Sequence, residues 1–156
     1  MLVPDISLDA IDRHLLSLLT EDGRATHADL AAKVSLSPSA VLRRVKRLEE
    51  HGVISGYGAV VDPRVVGLGT TVFVEVRLDS QREDVLDAFE QAAVQVPEIV
   101  ACHLISGDAD YLLRVQTDGV EGFEALHTAH LSRLPGVVQL RSYFAMRNVF
   151  DRGVVA

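Results

Sequence analysis

Apolar residues recur along this chain at two spacings, and the change from one to the other divides it. In the first part the spacing is helical. Leu8, Ile11, Leu15, Leu18 and Leu19 share one face of a helix that opens at Ser7-Leu8-Asp9 and ends near Asp22-Gly23. Thr26, with Asp29 three residues on, predicts a capping box for a second helix whose buried side is Leu30 and Val34. Ser37-Pro38 starts a third, because the serine hydroxyl can accept an orphan backbone N–H and proline occupies the first helical position, where none is needed. That helix runs to about His51 and stops at Gly52, with Val41, Val45 and Leu48 as its buried stripe and Leu42 beside them. Two short helices joined through residues 34–37, with a third packed across them, make a helix-turn-helix unit.

After Gly52 the pattern turns extended. Residues 53–61 are β-prone and punctuated by glycine, Asp62-Pro63 ends them, and with the irregular stretch 64–69 they read as a tether with a domain boundary near Pro63. From Thr70 the alternation is clean: Val72, Val74, Val76 and Leu78 point one way, and Thr71, Phe73, Glu75 and Arg77 the other. Ser80 and Glu83 predict a capping box for a helix carrying Val85, Phe89, Ala92 and Val96, stopped by Pro97. Residues 99–106 form a second strand, Gly107-Asp108-Ala109-Asp110 a turn, and 111–117 a third strand. Val120, Phe123, Leu126, Leu131 and Leu134 mark a further helix ended by Pro135-Gly136, and 137–150 supply a fourth strand.

The order βαββαβ is the ferredoxin-like arrangement, with both helices on one face of an antiparallel sheet. The expected class is α+β: an N-terminal helix-turn-helix (winged-helix-like) domain at 1–54, a β tether at 55–69 and a ferredoxin-like domain at 70–156. The other sheet face, showing Phe73 or Val72, Leu112 and Val138 according to register, reads as too apolar for water. A second copy is expected to cover it in a two-fold dimer.

Composition narrows the class. The chain has 156 residues, 48% hydrophobic and 24% charged, which suits one ordinary globular domain or two small ones. No apolar run approaches the ~20 residues of a membrane span. The start MLVPDISLDAID has neither a basic leader nor an apolar core, so a cytoplasmic protein without membrane contact is expected. Cys102, the single cysteine, fits a reducing compartment and is expected to be a small buried apolar residue; His103, alternating with apolar neighbours, is expected to be packed.

A formal net charge of −7 argues against nucleic acid until its distribution is considered. Between residues 30 and 48 stand Lys33, Arg43, Arg44, Lys46 and Arg47 and no acid, a local +5 on an acidic protein. On the third helix Ser39, Arg43 and Arg47 recur at i, i+4 and i+8, with Ala40 and Arg44 adjoining. Short side chains at the N-terminal end allow close approach to base edges in the major groove, and arginines further on can pair with guanine or phosphate. The predicted contacts to double-stranded DNA are Ser37, Ser39, Ala40, Arg43, Arg44, Lys46 and Arg47, with the guanidiniums of Arg43, Arg44 and Arg47 projecting outward together.

Four separated segments carry a wider resemblance: LDAIDRHLLSLLTEDGRA (8–25), LSPSAVLRRVKRLEEHGVISGY (36–57), HLISGDADYLLRV (103–115) and LPGVVQLRSYFAM (134–146). In that order they resemble the Lrp/AsnC family, the leucine-responsive or feast/famine transcriptional regulators. The resemblance implies dimers through the C-terminal domain, often octamers of four dimers, and a small-molecule effector, commonly an amino acid, bound between dimers. It places the effector at the turn Gly107, Asp108, Ala109, Asp110, Tyr111. Asp108 and Asp110 could accept from an ammonium there, and backbone N–H groups at the glycine could donate to a carboxylate. The last strand adds Ser142 and Tyr143, and Leu104, Ala109 and Phe144 would shape specificity. The same Asp-Ala-Asp is also what an ordinary hairpin turn uses.

Other chemistry is weaker. His127 and His130 lie at i, i+3 with Glu124 a turn before, but no second motif completes a metal site, and a solvent or interface role is expected. No G-x-S-x-G, P-loop or G-x-G-x-x-G occurs, so no catalytic residue, metal or cofactor is assigned. The enzymatic alternative is a sirohaem decarboxylase subunit, which shares the two-domain plan; the cationic helix face favours DNA.

Overall fold

The computed structural model describes residues 6–150, which divide into two compact units: residues 6–60 with Phe150, and Val61–Val149. In the first unit, α1 (Ala10–Glu21) starts where Asp9 accepts the Asp12 N–H at 2.8 Å and Asp12 accepts the Asp9 N–H at 3.1 Å. α2 (His27–Val34) has the predicted Thr26/Asp29 capping box. Ser35, at φ 55, turns the chain through the left-handed region, and Ser37 Oγ accepts the Ala40 N–H at 3.2 Å to start α3 (Pro38–Glu50). Leu15, Leu30, Ala31, Val41 and Val45 make the core, with Ile11, Leu18, Leu19, Val34, Leu36 and Ile54 around it. Each fully buried Leu or Val contributes roughly 1.5–3 kcal/mol, so the 41/45/48 stripe is what holds α3 in place.

One expectation fails here. The stretch 53–61 enters no ladder, and no strand occurs among the described residues 6–60. β-prone composition makes a segment extended, but a strand also needs a neighbour for its N–H and C=O groups. Tyr57 instead donates its hydroxyl to Glu49 of α3 at 2.9 Å.

The second unit runs β1 (Thr70–Leu78), α4 (Glu83–Ala93), β2 (Ile99–Leu104), β3 (Tyr111–Thr117), α5 (Val120–Ala129) and β4 (Val137–Phe144). The sheet is antiparallel in the order β2-β3-β1-β4. Val72, Val74, Val76 and Leu78 of β1 and Tyr111, Leu113 and Val115 of β3 face the helices and bury Phe89, Phe123, Leu126, Leu131 and Leu134. The Ser80/Glu83 box does not form: Arg82 is the N-cap without a side-chain bond, and Ser80 Oγ accepts the Arg82 N–H. α5 stops at Ala129, and a 3₁₀ turn, Leu131–Arg133, carries Leu131 and Leu134 into the core. β4 ends at Phe144 rather than 150 because its partner β1 ends at Thr70; the last bond is Ala145 N–H to Thr71 C=O.

Register settles the open face. It carries Phe73, Glu75 and Arg77 from β1, Leu112, Arg114 and Gln116 from β3, and Gln139, Arg141 and Tyr143 from β4. Val72 is buried on the helix side, and Val138 is the unpaired residue at the irregularity opposite Arg77/Leu78. The face is therefore largely charged and polar, where an apolar one was expected. β2 is an edge strand, so Cys102 and His103 are exposed instead of packed.

Candidate nucleic-acid interface and effector cleft

α3 buries Val41, Val45 and Leu48, and the face turned away from them carries Ser39, Leu42, Arg43, Lys46 and Glu50, all exposed. Ser37 is exposed at the N-cap, its Oγ 3.1 Å from Ser39 Oγ. Arg43 forms no ion pair among the described residues. Lys46 meets Glu50 at 3.6 Å, but both are well exposed, and such a pair is worth little and yields readily to a phosphate. This is a polar helix end with short side chains and two cations available beyond it.

Arg44 and Arg47 do not belong to that face. Arg44 Nη1 lies 2.7 Å from Asp9 Oδ2 and 2.8 Å from Asp12 Oδ1, and Arg47 Nη2 lies 2.5 Å from Asp12 Oδ2. With Ala40, these half-buried residues form the flank of α3 turned toward the N-terminus of α1. The expectation of three outward guanidiniums is corrected to one. A buried carboxylate needs partners, and those two arginines are what the fold offers. The Asp12 N–H, and after it the Arg44 guanidinium, hold Asp9 below the usual carboxylate range, and Asp9 and Asp12 in turn raise Arg44.

In the second unit the predicted effector residues separate. Gly107 and Asp108 are exposed on the β2–β3 turn, Gly107 at φ 134. Asp110 is buried: Oδ2 accepts the Leu78 N–H at 2.7 Å and Oδ1 accepts from Gln81 Nε2 at 2.6 Å. Though Asp110 borders the cleft between Ser80, Gln81 and the turn, its oxygens are already engaged. Tyr111 lies in the core on the helix side, its ring 4.5 Å from Phe89 and its hydroxyl donating to Glu90 at 2.7 Å. Burial and Glu90 push its phenol upward. Ser142 pairs with Val74 and so lies on the helix side of the edge strand. Asp110 and Tyr111 are thus engaged within the fold where ligand contacts were expected, and Ser142 is exposed but on the opposite side of β4 from Tyr143.

What the turn does cover is a cavity of about 270 Å³ lined by Glu75, Arg77, Asp108, Ala109, Gln139 and Arg141. Glu75 stands opposite Arg141 and Arg77 opposite Gln139 across the β1–β4 ladder. Tyr143 is not in the wall, but its hydroxyl donates to Glu75 at 3.2 Å. Two carboxylates and two guanidiniums around one small space present complementary partners to both ends of a zwitterion. Sequence reasoning misses Glu75, Arg77, Gln139 and Arg141, although Glu75 and Arg77 stand in the outward half of the β1 alternation and Gln139 and Arg141 face them from β4.

Comparison with known proteins agrees with both units. The AsnC-type helix-turn-helix domain model matches residues 8–49, and the Lrp/AsnC ligand binding domain model matches residues 71–155. The leucine-responsive regulatory protein of Escherichia coli is 41% identical over 146 residues, covering 94% of this chain and 89% of its own. An AsnC family transcriptional regulator from Agrobacterium tumefaciens superposes with a TM-score of 0.90 at 34% identity, over 96% of this chain and 97% of its own. A transcriptional regulator from Neisseria meningitidis, solved as a complex with L-Met, gives 0.87 at 32% identity and 94% coverage of each chain. These relatives are regulators, and the sirohaem decarboxylase reading is not favoured. No helix among the described residues is long and apolar enough to cross a membrane. A DNA-binding helix-turn-helix unit joined to a ferredoxin-like ligand-binding unit, matched in sequence over nearly the whole chain, places this protein in the Lrp/AsnC family of transcriptional regulators.

Proposed function

We propose that this protein binds specific duplex sites in the cytoplasm through the exposed face of α3, as a homodimer or an octamer of dimers, and that a free amino acid in the cavity beneath the β2–β3 turn modulates that binding. The DNA part rests on the outward face Ser39, Arg43 and Lys46, behind the exposed N-cap Ser37. Arg43 reads a base, and Lys46 and Lys33 supply charge for phosphate. Selection of duplexes from a random pool, followed by gel shifts of wild type and Arg43→Ala, tests it. A base contact costs about 1–3 kcal/mol on the selected duplex and little on a scrambled one. Unchanged affinity on both removes Arg43 from the interface.

The effector part is carried by the mixed charge of the cavity. The ammonium goes to Glu75 and Asp108 and the carboxylate to Arg77 and Arg141; L-Met in the Neisseria meningitidis relative supports an amino acid of this class. Regulation requires that the amino acid bind two assembly states with different affinity. Thermal melts against a panel of amino acids are expected to show stabilisation by at least one, lost in Asp108→Ala and in Arg141→Ala, with dimers intact by light scattering. Variants that respond like the parent defeat the assignment.

A further inference from the structure

Asp12 is wholly buried in the N-terminal turn of α1, yet each of its oxygens is occupied by a cation that the charge pattern of α3 assigns to DNA. Oδ1 takes Arg44; Oδ2 takes Arg47 and the Asp9 N–H. Asp9, at the N-cap, adds a second carboxylate to Arg44. Asp9 at the N-cap and Asp12 in the first turn also sit at the positive end of the α1 dipole, which favours negative charge there. The Nε–H of Arg47 is shielded from solvent with no acceptor among the described residues, so its guanidinium is drawn against the protein.

We infer that Asp12 is a positioning residue for recognition: it withdraws Arg44 and Arg47 from the duplex and fixes the rotation of α3 that turns Ser39, Arg43 and Lys46 outward. This inference rests on the proposed use of α3. Its physical consequence is a trade. Two further arginines free to reach phosphate would strengthen binding to any sequence, because phosphate contacts carry no base information. Holding them on Asp12 lowers that indiscriminate component and leaves discrimination to the outward face. It also means that the local +5 read from sequence reduces to three cations, Lys33, Arg43 and Lys46, available to DNA.

The test is the salt dependence of binding by the full-length protein, on a duplex selected by wild type from a random pool and on a scrambled duplex of equal length. Each phosphate contact contributes about 0.9 to the slope of log affinity against log salt. Arg44→Gln and Arg47→Gln are expected to leave that slope unchanged, whereas Lys46→Gln lowers it by about one contact for each subunit bound to the duplex. Asp12→Asn is expected to steepen it by roughly one to two contacts for each bound subunit and to reduce the preference for the selected duplex, and adding Arg44→Gln and Arg47→Gln to Asp12→Asn restores the parent slope. A merely structural role for Asp12 predicts the reverse, weaker binding to both duplexes with no steepening. The arginine variants decide the question even where Asp12→Asn fails to fold. A slope that falls in Arg44→Gln or Arg47→Gln while wild type selects a sequence overturns this inference alone. A wild type that selects none overturns the α3 reading itself, and this inference with it.

Discussion

Asp110 and Leu78, thirty-two residues apart, are joined where the Asp110 carboxylate accepts the buried Leu78 N–H at 2.7 Å. The second carboxylate oxygen takes Gln81, and the Asp110 N–H returns to the Val76 carbonyl at 2.9 Å, so the β2–β3 turn is riveted to the end of β1. Asp110→Ala removes the acceptor and leaves a buried N–H unpaired, a loss of about 1–3 kcal/mol. Asp108→Ala, exposed two residues away, is expected to stay within about 0.5 kcal/mol of the parent. Urea midpoints of the two variants measure this directly, and equal midpoints would refute the division of labour between the two aspartates.

Gly136 offers a sharper test of backbone strain. Its φ is +73, and an added Cβ would lie 2.9 Å from Val85 Cγ1, while its carbonyl accepts the Asp79 N–H at 2.8 Å. Gly67 in the same unit has φ +79 but open space around it. Gly67→Ala should therefore cost only the left-handed penalty, about 1–2 kcal/mol, and Gly136→Ala that penalty plus the displacement of Val85. Thermal melts in which Gly67→Ala is the more damaging variant would contradict this.

The exposed Cys102 invites modification, but partial burial, with Glu90 second, pushes its thiol up. Because the raised value favours the neutral thiol in the folded chain, that small contribution to stability is full below the unfolded thiol value and fades as pH rises through the folded one. Iodoacetamide at pH 8 should label the folded protein more slowly than the urea-unfolded chain. Glu90→Gln should speed it. A folded rate equal to the unfolded one would show that neither burial nor Glu90 acts on the sulfur.

Particular residues show what the sequence could tell. The β1 alternation from Val72 to Leu78 was legible because a strand buried on one side must repeat every second residue, and that alone orients the sheet. The caps at Thr26 and Ser37 were legible because they are local. Residues 53–61 misled because extended composition does not supply a pairing partner. Arg44 and Arg47 misled because their fate depends on a carboxylate more than thirty residues earlier. A clue was present all the same: Asp12 falls between Leu8, Leu15 and Leu19 at helical spacing, an acid inside an apolar stripe, which cannot be buried unpaired. Asp110 carried a similar clue, since a motif aspartate next to a strand residue on the core face is as well placed to bind backbone as to bind ligand.

Leu42 adjoins the buried stripe in the helical pattern, yet it is 49% exposed and lies at i+3 from Ser39 and i−4 from Lys46, on the outward face of α3. A half-exposed leucine in the second turn of a recognition helix has one natural counterpart in the major groove, the C5-methyl group of thymine. Burying one methyl contributes about 0.8 kcal/mol, so Leu42→Ala is expected to weaken the preference for thymine at a single operator position by roughly fourfold. Other positions should keep their preference, because Arg43 still reads its own base. Stability should fall little, since half of the side chain is already in water and Val41 and Val45 carry the packing. Sequence selection with wild type and Leu42→Ala, compared position by position, makes the measurement. Identical preferences, or a uniform loss across all positions, would assign Leu42 to the support of α3 and take it off the reading surface.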